Sequence, residues 1–300
     1  MDSAAVAGTP RTSVCPLCGG PDGDVIGASV NGTLIRCADC TLSYHCELLG
    51  ASAQQAVPYY GDDRAYEDYR RRKEPRWEDL FTRLRRYLPF DRAQGGRGRR
   101  LLDVGCARGY STAVARRLGF DAYGVEMSAA DAAYAREQLG LPVRTGTVET
   151  AGFQAGFFDA VVAWSVLEHM SAPVAAVAAI SRLLRPGGVL NIFTPNGKSR
   201  AAREQGLGWI EYNRPGHVAF FCPMTLRRLL TEQGLQVVEL YTTLLGGGPE
   251  AQGERSALLR WAMGPSLAPV RRRLRPLLAL MAGTAAREGE YMGVYARKSS

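Results

Sequence analysis

The chain has 300 residues, 46% of them hydrophobic, enough for one large core with a small satellite. Its 37 basic against 29 acidic residues leave a net charge of +8. That charge suits nucleic acid, an anionic membrane or an anionic substrate, and equally a basic surface with no partner. No apolar run approaches the roughly 18–20 residues that cross a bilayer. The first residues lack the basic start and apolar stretch of a secretory signal, so the expectation is a cytoplasmic protein.

Seven cysteines without an export signal argue against a disulfide framework. Four of them form two C-x-x-C pairs, Cys15/Cys18 in CPLCGG and Cys37/Cys40 in RCADC. Each pair can sit on a tight turn that aims two sulfurs at one point, and two such turns close a tetrahedron around Zn2+. Four thiolates leave no open coordination position, so the expected role is structural, in a segment too short to fold on its own core. Asn31-Gly32 between two apolar runs reads as the hairpin joining them. His45 and Cys46 read as strand residues rather than further ligands.

Residues 51–97 are rich in arginine and aromatics and read as a helical linker or cap. Over 76–88 the apolar residues Trp77, Leu80, Phe81, Leu84 and Leu88 share one helical face, which predicts a helix docked on the next domain. The core then begins. LLDV is a strand, followed by a turn with Gly105 and Gly109 and a helix over about 110–118. FDAYGVE is a second strand ending at Glu126, and Ser128 with Asp131 has the spacing of a capping box for the next helix. In this β-α-β unit a carboxylate at the second strand's tip can accept both hydroxyls of a ribose. The turn reads G-C-A-R-G and not G-x-G-x-x-G, so it does not match a site for a pyrophosphate. S-adenosylmethionine carries a ribose and an adenine but no phosphate, and suits this turn better.

LDVGCARG, GVEMS, GTVE, FFDAVVAWSVLEHM and LLRPGGVLNIFTPN occur in this order over about 100 residues. Together they resemble the class I S-adenosylmethionine-dependent methyltransferases, with Ala107 at a position that is usually glycine. The resemblance implies an α/β fold, a Rossmann-like seven-stranded sheet with its last strand antiparallel, beside the small zinc-binding module. It implies S-adenosylmethionine as cofactor, held by Asp103, Gly105, Cys106, Gly109, Glu126, Met127, Thr147, Val148 and Trp164. The expected organisation is a four-cysteine zinc-binding module (1–50), the linker (51–97), the methyltransferase core (98–245), and a basic insertion with the final strand (246–300).

Methyl transfer needs an aligned acceptor and, where a proton leaves, a base near the carboxyl ends of the central strands. Of the three histidines, His169 and His217 fall in suitable places. His217 is the first candidate base, while Glu168 and His169 shape the methionine end of the pocket. Trp209, Tyr212 and Tyr69 are candidate acceptor-pocket walls. Some quinone-pathway O-methyltransferases with a similar LEH turn hold a metal through an additional glutamate, but Ser165 stands at that position here. Strands are expected over 235–243 and 291–298. The long connection between them holds six arginines and one glutamate over 253–276, and 253–283 suits a lid, a dimer contact or an anionic membrane surface. The favoured acceptor is a small molecule, such as a sugar, a polysaccharide precursor or a secondary metabolite, methylated on O, N or C. The alternative is ribosomal RNA held by the zinc module and basic arm.

Overall fold

The computed structural model describes residues 14–49, 63–88, 99–243 and 289–299. The basic 253–283 segment, and residues 51–62 and 89–97 of the linker, lie outside the described residues. Among those described, no helix is long and apolar enough to cross a membrane.

The N-terminal cysteines fold with three strands, β1 (Gly23–Ser29), β2 (Gly32–Cys37) and β3 (Ser43–His45). The β1–β2 hairpin turns on Val30 and Asn31, since Ser29 pairs with Gly32. The two-residue loop is therefore one position earlier than the Asn-Gly spacing predicts, and Gly32 instead takes the left-handed backbone at φ +109°. A long helix follows, α1 (Asp63–Tyr87), with Pro75 inside it. The sequence pattern places the helix after this proline. The observed one runs through it because Tyr66, Trp77, Leu80, Phe81 and Leu84 anchor both halves on the core. The ladder of Arg70 with Glu67 and Glu74 also supports the turns before the break.

The core alternates β4 (Arg100–Val104), α2 (Tyr110–Arg117), β5 (Asp121–Glu126), α3 (Ala129–Glu137), β6 (Val143–Thr145), β7 (Phe158–Trp164), α4 (Pro173–Leu183) and β8 (Leu184–Pro195). It continues through α5 (Arg200–Gln205), the short β9 (Ala219–Phe220), α6 (Pro223–Glu232), β10 (Leu235–Thr243) and β11 (Tyr291–Lys298). Seven strands form one sheet in the order β10-β11-β8-β7-β4-β5-β6. β4 to β8 pair in parallel, and β11 is antiparallel to both β8 and β10. β7, and β8 from Val189 onward, are buried and mostly apolar, as strands covered on both faces require.

The chain order reverses between β4 and β7, which opens a crevice at their carboxyl ends. A second sheet, β1-β2-β3-β9, carries the cysteine module onto the core, because β9 belongs to the segment after β8.

Candidate active site

The crevice holds a cavity. The β4 end and its turn supply Asp103, Gly105, Cys106 and Ala107, β7 supplies Trp164, and α1 supplies Tyr66, Tyr69 and Trp77. Both turn glycines take left-handed backbone, Gly105 at φ +67° and Gly109 at φ +81°. A Cβ on Gly105 would stand 2.6 Å from Val166, and one on Gly109 2.7 Å from Leu141. Ala107 shares this conformation at φ +47°, which explains why glycine is usual there. The Cys106 sulfur packs toward Gly124 and the Ala132–Val143 cluster rather than serving as a nucleophile. Burial raises its pKa well above the ordinary thiol value.

Two carboxylates face this region. Asp103 accepts from the hydroxyls of Ser111 and Thr112, and burial pushes its pKa up to about 6. Glu126 accepts the Ala107 amide on one oxygen and the Ser128 amide on the other, both at 2.8 Å. Burial raises its pKa too. The capping box thus forms only by half: Ser128 caps the Asp131 amide, while Glu126 takes the Ser128 amide that the spacing assigns to Asp131.

Asp131 is engaged elsewhere, accepting from the Tyr66 hydroxyl and from Arg108. Arg108 lies between the rings of Tyr66 (3.8 Å) and Tyr134 (4.6 Å) and also pairs with Asp63. These contacts fasten the start of α1 over the turn.

Among the described residues, neither Asp103 nor Glu126 has a basic ion-pair partner, and Asp103 is raised further by Glu126. One such carboxylate in the lining, Asp103, and a second just behind the turn, Glu126, disfavour a pyrophosphate and suit a ligand that is cationic at one end and carries a diol. That fits the sulfonium, ammonium and ribose of S-adenosylmethionine. Glu126 itself lies behind the Ala107 turn, outside the cavity lining, as do the other residues expected at this ligand. Met127 is 38% exposed beside Glu126, Val148 is buried, Thr147 is half-exposed, and Gly109 is the residue before α2.

From Trp164 an unbroken series of contacts leads away from the cavity. Trp164 stacks on Phe193 at 4.4 Å, and Phe193 on Tyr291 at 5.4 Å. The Tyr291 hydroxyl donates to buried Glu211 at 2.6 Å. Glu211 also pairs with Arg214 and lies 3.6 Å from His217 Nδ1. The rings of His217 and His169 meet edge to face at 4.7 Å. His169 Nδ1 donates to the Gly216 carbonyl at 2.9 Å, which leaves Nε2 with a free lone pair. His217 is 3% exposed, and burial, with help from His169 and Arg214, pushes its pKa down to about 2. His169 is shifted down as well, chiefly by burial. Both rings are neutral at physiological pH. Of the two, His169 is the more accessible and has its tautomer set by a backbone acceptor.

Glu168 is buried beside them, accepts from Thr194, and has a pKa pushed by burial up to about 8, so it holds a proton at neutral pH. Trp209 and Tyr212, expected as acceptor walls, instead pack with Leu34 and Phe220 under the β1–β2 hairpin. Tyr69 does line the cavity. Sequence reasoning missed Tyr66, Lys73, Glu211 and Tyr291. Lys73 lies over the Tyr69 ring at 5.7 Å, and desolvation brings its pKa down to about 8. None of the four stands in a local motif; the packing of α1 brings in Tyr66 and Lys73, β11 brings in Tyr291, and the turn over 210–213 brings in Glu211.

The four cysteines converge. Their ligand atoms lie within 4.8 Å of one another, with Cys15–Cys40 sulfurs 3.5 Å apart and Cys18–Cys37 sulfurs 3.4 Å apart. A tetrahedral zinc with Zn–S of about 2.3 Å requires sulfurs about 3.8 Å apart, so the cluster needs only a small expansion to fit. The two turns repeat one hydrogen-bond scheme. Cys15 and Cys37 each accept from the amide four residues on, Gly19 and Thr41, and donate to the carbonyl five residues on. Gly19 and Thr41 are both left-handed, at φ +73° and +66°. Glu168, His169 and His217 are the other described group whose donor atoms approach within 4.8 Å. One Glu168 oxygen accepts from Thr194 and His169 Nδ1 donates to the Gly216 carbonyl, while His217 Nδ1 has no hydrogen-bond partner.

Residues 69–240 match a family described as a methyltransferase domain. The chain is 33% identical over 163 residues to the ubiquinone biosynthesis O-methyltransferase of Cereibacter sphaeroides, covering 51% of this chain and 64% of that one. It is 32% identical over 163 residues to the protein of the same name from Aromatoleum aromaticum, covering 50% and 70%. It thus spans just under two-thirds of the first relative's length. A chain from a complex that contains the Haloferax volcanii Trm112 methyltransferase activator superposes with a TM-score of 0.52 at 18% identity. That match covers 78% of this chain and 96% of the other, and shows a shared fold.

Proposed function

Since the chain belongs to the class I S-adenosylmethionine-dependent methyltransferases, we propose that it methylates a hydroxyl of a small-molecule acceptor, with His169 taking the proton. The observation that carries this reading is the line of contacts from the Asp103-lined cavity through Trp164, Phe193, Tyr291 and Glu211 to the histidine pair. S-adenosylmethionine, when bound, supplies a methyl carbon already activated on sulfur. Glu126 would hold the ribose hydroxyls, and Asp103 the cationic methionine end. Tyr66, Tyr69 and Trp77 exclude water from above. His169, with Nδ1–H fixed on Gly216, offers Nε2 as the base. The O-methyltransferase names of the relatives favour oxygen over nitrogen or carbon as the acceptor atom. The four cysteines would hold one structural zinc ion.

Two measurements test the reading. S-adenosylhomocysteine should bind and raise the melting temperature, and absence of binding would remove the enzyme reading. Methyl transfer from labelled S-adenosylmethionine to a panel of simple phenols and nucleotide sugars should fall at least about tenfold in His169→Gln. Cofactor affinity should stay unchanged. Equal turnover in the variant would exclude His169 as the base.

A further inference from the structure

A set of hydrogen bonds ties the cysteine module to residues 209–220 on the acceptor side. At the hairpin tip, Asn31 Nδ2 donates to two carbonyls of that stretch, Tyr212 at 3.1 Å and Arg214 at 2.7 Å. One strand over, fully buried His45 makes a second attachment. Its backbone amide donates to the Val218 carbonyl at 2.9 Å, and its Nδ1 lies 2.9 Å from the His217 carbonyl. A carbonyl only accepts, so Nδ1 carries the hydrogen, and Nε2 accepts from the Ser29 hydroxyl at 2.8 Å. From the other side, the Val218 amide donates to the Glu168 carbonyl at 2.7 Å, and His169 Nδ1 donates to the Gly216 carbonyl. The backbone over 216–218 is therefore clamped between the cysteine module and the turn that bears His169.

We infer that His45 is a positioning residue for the acceptor-side histidines, and that the metal-bound module acts through it and Asn31 to set where His169 and His217 stand. This rests on the proposed role of His169, but its test does not depend on turnover. Zinc would gather the two cysteine turns, the turns carry β2 and β3, and β3 holds β9 and the His217 peptide through Ser43–Phe220 and Tyr44–Ala219 pairing. Without the His45 donor the His217 carbonyl loses a buried partner and the clamp opens on one side. The module then contributes more than stability: it fixes the geometry on which an acceptor-side base depends.

Three histidines in the chain make this directly observable. Full-length, metal-loaded protein with labelled histidine rings should give three ring signals by NMR, recorded with S-adenosylhomocysteine bound. In His45→Leu, which removes the donor, the signals of His169 and His217 should shift. In His45→Asn, whose amide can still donate to the carbonyl, they should remain near their original positions. Stripping the metal with a chelator should also move them without releasing S-adenosylhomocysteine. Unchanged His169 and His217 signals in His45→Leu and after chelation would overturn the inference. Equal displacement by Leu and Asn would overturn the hydrogen-bond role as well. If His45→Leu fails to fold, Asn31→Asp decides, since it keeps the shape but turns two donors into acceptors. It should move the same two signals, and no movement would count against the proposal. Loss of the S-adenosylhomocysteine complex in the unmodified protein would instead remove the cofactor reading alone.

Discussion

Glu126→Gln is the most informative single perturbation of the cofactor cleft. In the folded chain each Glu126 oxygen accepts one backbone amide, Ala107 or Ser128, at 2.8 Å. Glutamine keeps the shape but has one acceptor, so one of those amides must face an NH2 group and lose its partner. The cost to the fold is at the lower end of the about 1–3 kcal/mol for an unsatisfied buried group. Replacing a carboxylate whose burial already disfavours its charge offsets part of it. The cost to cofactor binding is larger, because the ribose hydroxyls lose a charged acceptor worth about 1.5–3 kcal/mol. That weakens S-adenosylhomocysteine roughly 10- to 150-fold. Isothermal titration calorimetry reads this directly. Burial raises the Glu126 pKa, so acidification should weaken binding to the wild-type chain as this carboxylate protonates. The glutamine variant should lack that component. A dissociation constant within about threefold of wild type would refute the placement of the ribose on Glu126.

Ala107→Gly should relieve the left-handed strain at φ +47°. That strain costs about 1–2 kcal/mol, and the added freedom of the unfolded chain offsets about half, so the melting temperature should rise by about 1–4 °C. A decrease would mean that the alanine methyl group makes a contact the fold needs. Glu168, with its pKa raised to about 8 against an ordinary 4.5, binds a proton when folded that the unfolded chain releases. Its contribution is therefore full at about pH 4 and lost as pH rises toward 8, by up to about 1.4 kcal/mol per unit. Glu168→Gln should flatten that slope in denaturant titrations, and an unchanged slope would place the titration elsewhere. Elemental analysis should find one zinc per chain, lost with Cys37→Ser, and chelation should lower the melting temperature. A second bound metal, lost with His217→Ala instead, would assign an ion to the Glu168–His169–His217 group.

Much of this molecule is visible in local patterns. The paired cysteines, the strand–glycine turn–helix at 101–118, the carboxylate ending β5 and the order of the strands all follow from short-range spacing. Tight turns demand particular residue types, and burial on both sheet faces leaves apolar runs that read directly. The helix through Pro75 was not visible, because its continuity comes from packing both halves against the core and from salt bridges in the turns before the proline. Nor was the half-formed cap at Ser128, where Glu126 and Tyr66 compete successfully for the expected partners. The preference for His169 over His217 as the base depends on burial and on a carbonyl 47 residues away, which no spacing encodes. Trp209 and Tyr212, aromatic residues in a plausible cover, went under the hairpin because Leu34 offers them an apolar surface there. The sequence alone determined a cofactor fold with a cysteine-clustered module, since those signals arise from neighbours along the chain. Only the tertiary structure decided how the module meets the acceptor-side histidines, because β3 (Ser43–His45) pairs with β9 (Ala219–Phe220), a strand far along the chain.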